Sequence, residues 1–204
     1  MKTMVVVLCG VSLASAASSV ALAQAGAPKT VQLSKVVLDT ETNQIMARVK
    51  GGTLCVFPSN VKIPKEKKTQ NYERFDNLFT TVLKSGGFAV ISTSNEMFGG
   101  EDDKNWGDYL VGVTLRPAVY NLCSSAKGEK GDMTVDAEWQ IYDRAAGKVV
   151  ETVSTSGQGM QEKFAPDGEK QIVNSAFKAN LNAFIAKGLL QKYVQGMSLS
   201  SANP

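Results

Sequence analysis

The 204-residue sequence contains no histidine. This absence excludes Ser-His-Asp and Cys-His catalysis, His-ligated zinc or haem, and any acid–base step carried out by an imidazole. The sequence also has little net charge, because 22 Lys and Arg residues are nearly balanced by 19 Asp and Glu residues and leave a formal charge of +3. So small an excess predicts no strong affinity for nucleic acid or for an anionic membrane. No complete cofactor motif is present, and we expect no cofactor.

Residues 1–23 have the organisation of a secretory signal peptide. Lys2 supplies the initial positive charge, a short apolar stretch follows, and Ala21-Leu22-Ala23 forms an A-x-A cleavage site before Gln24. Cys9 follows Leu8, where a lipoprotein site requires a small residue, so we expect no lipid there. No later segment is apolar over about 20 residues, which predicts no membrane span after cleavage. The protein is therefore expected to be periplasmic or secreted.

The remaining sequence predicts one domain. Hydrophobic residues make up 43% and charged residues 20% of the chain, a balance typical of a folded globular protein. Residues 24–30 are rich in Ala, Gly and Pro and predict a flexible leader. Residues 31–195 form the expected single domain, and residues 196–204 form a polar tail that we expect to be disordered.

Apolar periodicity predicts two helices. In residues 71–84 an apolar stripe recurs with a period of 3.6 residues, and residues 170–193 carry a second apolar face that begins after Asp167 as the expected N-cap. Gly188 lies inside the second helix and weakens its last turns. Short apolar runs at 53–57 and 88–91 flank the first helix and predict buried strands. This order favours a right-handed crossover between parallel strands.

Strict alternation predicts antiparallel strands. In residues 133–142 apolar residues occupy every second position, which indicates a strand with one solvated face. A turn at 143–147 and a strand at 149–155 complete a hairpin, and residues 109–115 also alternate, with a continuation at 119–123. The predicted fold class is α+β: a mixed sheet with an antiparallel hairpin portion and two helices packed on one face.

Motifs for catalysis are incomplete. Ser59 to Lys62 and Ser124 to Lys127 both fit S-x-x-K, but neither begins a predicted helix and no accompanying S-D-N or K-T-G follows. Gly157-Gln158-Gly159 lacks the third glycine of a dinucleotide-binding loop. We therefore predict no catalytic residues and a protein that is not an enzyme.

The acidic loop before the predicted strand at 109–115 contains the candidate contact residues. Asp103, Asn105, Gly107 and Asp108 partly resemble a calcium loop, but the closing Glu is missing. No metal ligand is assigned, and whether residues 101–108 bind a cation stays open. Trp106 is either an exposed anchor for a partner or folds over the sheet edge. We take Trp106, Asp103 and Asp108 as possible partner contacts.

Two cysteines follow the signal peptide. In an oxidising compartment an even pair is usually bonded, so Cys55 and Cys123 are predicted to form a disulfide. The alternative is two separate buried thiols.

Several segments together show a family-level pattern. They are residues 54–58, 83–90, 108–114, 135–143 and 147–150, within a region from residue 53 to residue 193. The pattern resembles the periplasmic α/β domain of the curli-secretion-channel family. It is also similar to the amino-terminal domain of the Tol–Pal propeller protein, to lipoprotein activators of penicillin-binding proteins, and to a segment before the protease domain of some secreted serine proteases. The resemblance implies a docking or assembly role without catalysis, and no functional residue carries over from these families.

The leading hypothesis is a non-enzymatic binding module of the bacterial cell envelope that docks another envelope protein. One alternative is a small-ligand or glycan-binding protein that uses Trp106 and the loop at 95–108. A serine/lysine hydrolase is the less favoured alternative. The sequence leaves the partner and the oligomeric state open.

Overall fold

The computed structural model describes residues 28–41, 46–62, 64–69, 72–92 and 106–195, and the fold class is α+β as predicted. The signal peptide, residues 24–27 of the leader, Asp103 and the tail at 196–204 lie outside these residues. Within them, the elements in chain order are β1 (Val31–Asp39), β2 (Met46–Gly51), β3 (Phe57–Lys62), β4 (Lys67–Thr69), α1 (Tyr72–Ser85), β5 (Val90–Ile91), β6 (Tyr109–Ser125), β7 (Gly128–Asp143), β8 (Lys148–Ala165), α2 (Gly168–Ala186) and α3 (Leu189–Val194).

Strand β6 organises the mixed sheet. On one side it pairs with antiparallel β7 from Tyr109↔Asp143 to Ser125↔Gly128, and β8 adds beyond β7. On the other side two shorter parallel strands follow one another, since β1 pairs with the first half of β6 and β2 with the second half. Strands β4 and β5 extend the sheet beyond β1, and β3 beyond β2. Pro117 lies at a register shift of β6, where a missing amide is tolerated.

One face of the sheet is buried by the helices. The apolar residues of β7 that alternate in sequence point into this core, and Trp139 and Ile141 there are fully buried. Both α1 and α2 pack on this face and against each other, with the rings of Phe75 and Phe177 4.7 Å apart. The opposite face carries polar side chains, among them an ion pair of Arg116 with Asp39 at 3.3 Å.

Three predictions about the elements need correction. The parallel strand that precedes α1 and pairs with β5 is β1, because residues 53–56 form a turn and cannot supply it. The second helix is two helices, since Gly188 adopts a left-handed φ of 73° that ends α2 and starts α3. Asp167 does precede α2, but its carboxylate accepts a hydrogen bond from the Gln171 side chain and caps no backbone amide.

Strand β8 runs ten residues further than the predicted strand, and Gly157 and Gly159 occupy two of its buried positions. A Cβ built on Gly159 would lie 2.0 Å from the Ile172 carbonyl oxygen, and one on Gly157 would lie 2.6 Å from the Asn180 amide nitrogen. The backbone of α2 therefore rests directly on β8. The incomplete dinucleotide motif at 157–159 is a packing motif for this helix.

We expect Gly159→Ala to destabilise the fold by about 1–3 kcal/mol or more, because the added methyl group meets helix backbone that cannot rotate away. Urea denaturation gives the free energy of unfolding. Gly112→Ala is the matched control, since Gly112 lies in β6 and a Cβ there meets nothing within 4 Å. Equal stabilities of the two variants would contradict this packing.

Candidate protein-binding surface

A disulfide fixes the turn between β2 and β3. Cys55 and Cys123 are bonded, as predicted, with their Cα atoms 5.6 Å apart. Gly52 begins the turn with φ 82°, and its amide donates to the Ser124 carbonyl oxygen at 3.0 Å. Cys55 has a φ of 55°, a conformation uncommon outside glycine. We call residues 52–57 the disulfide loop. The disulfide and the Gly52 hydrogen bond attach it to Cys123 and Ser124, near the end of β6.

The disulfide loop carries three large apolar side chains in solvent. Leu54 is 81% exposed, Val56 58% and Phe57 71%. Single exposed apolar residues are ordinary, but a contiguous group marks an interaction surface more often. Cys123, in contrast, is buried, so the crosslink anchors an exposed apolar loop to the sheet.

The prediction of a buried strand at 53–57 was therefore wrong. A continuous apolar run is typical of a buried strand, and here it belongs to a turn and to the first residue of an edge strand. Pro58, directly after the run, lies within β3. Gly51 and Gly52 before the run are a turn signal that could have identified the loop.

A shallow depression of about 460 Å³ lies beside the disulfide. Both cysteines line it, together with charged side chains of both signs and Met160, which is 53% exposed. The charged lining residues are Arg48, Lys50, Lys130, Asp132 and Glu162. The disulfide loop is thus bordered by basic and acidic side chains. Protein interfaces commonly have this arrangement of an apolar centre and a polar rim.

Two of the predicted contact residues, Trp106 and Asp108, lie away from the disulfide loop, just before β6 begins. Trp106 is 44% exposed, and its carbonyl oxygen accepts a hydrogen bond from Arg144 at 3.3 Å. The Asp108 carboxylate accepts hydrogen bonds from the amide and the hydroxyl of Thr30, at 2.6 and 2.8 Å. These bonds, the backbone one first, lower the pKa of Asp108. Asp108 thereby holds the chain at the start of β1, and a contact role for Trp106, Asp103 and Asp108 stays a prediction.

The residues considered for catalysis are not brought into one site. Ser124 lies within β6 while Lys127 lies in the turn to β7, so the two side chains of this S-x-x-K do not share a helical turn. The copy at 59–62 runs along extended strand β3. In the described part of the chain no three acidic or cysteine side chains cluster as metal ligands.

Comparisons with known proteins add solved structures of low similarity. No family model and no curated protein matches the chain. Protein XCC0632 from Xanthomonas campestris, described with the family model DUF330, shares 9% identity over 84% of this chain and 89% of its own, with a TM-score of 0.42. Protein CT253 from Chlamydia trachomatis shares 10% over 84% of this chain and 100% of its own, with a TM-score of 0.43. A minor lipoprotein from Acinetobacter baumannii shares 9% sequence identity over 82% of this chain and 94% of its own, with a TM-score of 0.34.

These values are too low to assign a family or a function. The resemblance to the curli-channel, Tol–Pal and activator families is not confirmed by these matches. No helix in the described ranges is long and apolar enough to cross a membrane.

Proposed function

We propose that the protein is a non-enzymatic binding module of the bacterial cell envelope, and that it docks another envelope protein through the disulfide loop. The observation that carries the proposal is the exposure of Leu54, Val56 and Phe57 on a loop that is covalently anchored to the central strand. A disulfide is typical of oxidising compartments, which supports a periplasmic or secreted location.

The anchoring favours binding for an energetic reason. A loop that is already ordered loses less conformational entropy when a partner covers it. Its apolar side chains supply the favourable burial, while the surrounding charges orient the partner. The expected partner surface has an apolar recess with polar groups at its border.

In-cell photo-crosslinking tests the proposed surface. A photo-reactive amino acid at Phe57 is expected to capture an envelope protein that mass spectrometry identifies. The same probe at Val149 is the control, because Val149 is 47% exposed but lies at the start of β8. Equal capture at both positions, or none at Phe57, would contradict the proposal.

Substitution then measures the contribution of the loop. We expect Leu54→Ser with Phe57→Ser to weaken binding of the captured partner at least about tenfold, because apolar anchors dominate interface energetics. Stability should stay within about 0.5 kcal/mol, because both side chains are exposed. Trp106→Ala in the same assay tests the alternative contact surface. A loss with Trp106→Ala and none with the loop variant would instead support that alternative.

A further inference from the structure

The sheet ends at β8, and in the described part of the chain β8 pairs only with β7. An edge strand directs every second N–H and C=O away from the sheet, and these groups can pair with another strand. Side chains of the protein itself reach the backbone near both ends of β8. The Tyr193 hydroxyl donates to the Val150 carbonyl oxygen at 3.2 Å, and the Gln161 amide donates to the Lys163 carbonyl oxygen at 2.9 Å. The stretch between these two contacts is regular strand.

This stretch, residues 152–161, lacks the features that protect edge strands. Proteins block exposed edges with proline, charged side chains, bulges or very short strands. Residues 152–161 contain no proline and no charged residue, and their register with β7 has no shift. The other edge strands that the structure describes do carry such features, since β3 contains Pro58, β4 is Lys67–Thr69 with two lysines, and β5 has 2 residues. Strand β8 is therefore the edge left open to a further strand.

The side of α2 above this edge is small and uncharged. Phe177 packs on α1, with its ring 4.7 Å from that of Phe75, and Ser175 lies on the opposite side of the helix. A Cβ built on Gly159 would lie 2.7 Å from Ser175 Oγ, which places this opposite side of α2 over the edge strand. The side chains that follow one another along it are Ser175, Ala179, Asn182 and Ala186.

These small side chains matter because α2 lies directly on β8. If the β8 edges of two copies joined, their α2 helices would come close together, and large or charged side chains between them would prevent the pairing. Helix axes pack about 8–10 Å apart, with the distance set by the side chains at the contact. The strand edge and the helix side above it thus permit the same neighbour, a second copy of the chain.

The solvated face of the edge also matches itself. Its side chains are Thr152, Ser154, Ser156, Gln158 and Met160, and all are exposed. In antiparallel pairing about a two-fold axis at Ser156, Ser154 faces Gln158 of the partner subunit and Thr152 faces Met160 of the partner subunit. No like charges are brought together, and the serine and glutamine side chains can form hydrogen bonds across the pair.

We propose that two copies of the protein form a symmetric dimer by antiparallel pairing of their β8 edges. The pairing joins the two sheets into one and sets the two α2 helices side by side. Such an interface is isologous, because each copy contributes the same surface. The disulfide loop is attached to β2, β3 and β6, whereas β8 lies beyond β7, so the inference does not rest on the proposed docking function. Val149 lies outside the paired stretch.

Sedimentation equilibrium of the purified protein tests the proposal, and we expect a concentration-dependent dimer with twice the mass of one chain. Ser154→Lys with Gln158→Lys sets like charges opposite each other across the axis and should weaken dimerisation at least about tenfold. Ser154→Glu with Gln158→Glu should have the same effect. A mixture of the two double variants should form dimers again, because opposite charges then face each other. Misfolding of the variants could not produce that recovery.

A cysteine on the axis tests the register. Two Ser156→Cys chains would bring their Cα atoms to about 4.5–5.5 Å, a separation that a disulfide can bridge. The oxidised variant should therefore run as a covalent dimer on a denaturing gel without reductant. Thr81→Cys, at an exposed position of α1, is the control and should remain a single chain. Ser34→Lys with Thr81→Lys adds the same charge as the lysine pair on β8, at exposed positions of β1 and α1, and should leave the dimer unchanged.

A dimer that dissociates in each double variant and re-forms in their mixture supports the proposal. A protein that is monomeric at every concentration would overturn it, as expected if another protein or residues 196–204 of the same chain occupied the edge. A dimer that persists in the folded double variants, or Ser156→Cys crosslinking no greater than that of Thr81→Cys, would also overturn it. The melting temperature of each variant shows whether it is folded. The docking assay at Phe57 reports on a different surface, so either proposal can fail alone.

Discussion

Replacing Trp139 by alanine is expected to lower the free energy of unfolding by about 3–5 kcal/mol, a large part of the total of about 5–15 kcal/mol that holds a domain together. The indole is fully buried and stacks on Phe184, with ring centroids 4.8 Å apart. Its removal leaves a cavity where β7 meets α2. We expect the variant to be largely unfolded at 37 °C or to melt far below the unsubstituted protein.

The indole also joins a buried chain of hydrogen bonds. Its Nε1 donates to the Thr155 hydroxyl at 2.9 Å, and that hydroxyl donates to Asn180 Oδ1 at 2.9 Å. Asn180 in turn donates to the Val135 carbonyl oxygen at 2.9 Å. Losing the first donor leaves Thr155 without one of its partners, which adds to the cost of the cavity.

Two variants serve as controls for Trp139→Ala in thermal and urea unfolding. Trp106→Ala removes an indole that is 44% exposed and should change stability by less than about 1 kcal/mol. Trp139→Phe keeps an aromatic ring but removes the Nε1 donor, so it should fall between the unsubstituted protein and Trp139→Ala. Equal losses of stability for Trp139→Ala and Trp106→Ala would contradict the burial of Trp139 and the exposure of Trp106.

Trp139 also shows why part of the fold follows from sequence. It belongs to a strand in which apolar and polar residues alternate without interruption. Such a strand can place its apolar side chains in the core in only one way, with the polar side chains on the opposite face. The stripe that contains Phe75 and Phe79 likewise predicts one helix with one buried face, and both side chains are buried. These predictions succeed because each depends on the side chains of a single element.

Predictions that depend on two elements were less successful. Gly157 and Gly159 have no side chains, so they do not contribute to the alternation of apolar and polar residues that predicts a strand. Their role depends on the close approach of the α2 backbone. Val31 pairs with Val90 across a long stretch of chain, and nothing local distinguishes β1 from the run at 53–57 as the partner of β5. The candidate surface was missed for the same reason, since apolar composition at 53–57 indicates burial unless the position of the turn is known.

The disulfide is the second feature with a large expected effect. It closes a loop of 68 residues, for which the chain-entropy model gives roughly 4 kcal/mol of stabilisation, less any strain in the native state. The double variant Cys55→Ala with Cys123→Ala should therefore unfold at a clearly lower urea concentration. Reduction with dithiothreitol should shift the unsubstituted protein in the same direction and leave the double variant unchanged.

The crosslink should matter more to the disulfide loop than to the core. Its removal releases Cys55 from a conformation with φ 55°, whereas Trp139 is paired with Val113 in the first half of β6, away from Cys123. Under conditions where the double variant is still folded, we expect capture by a photo-reactive residue at Phe57 to fall, because a mobile loop loses more entropy on docking. Hydrogen exchange of the amides at 52–57 should rise in the same variant. An unchanged urea midpoint after verified reduction would contradict the stabilising role of the disulfide, and unchanged exchange at 52–57 would show that the turn holds its shape without it.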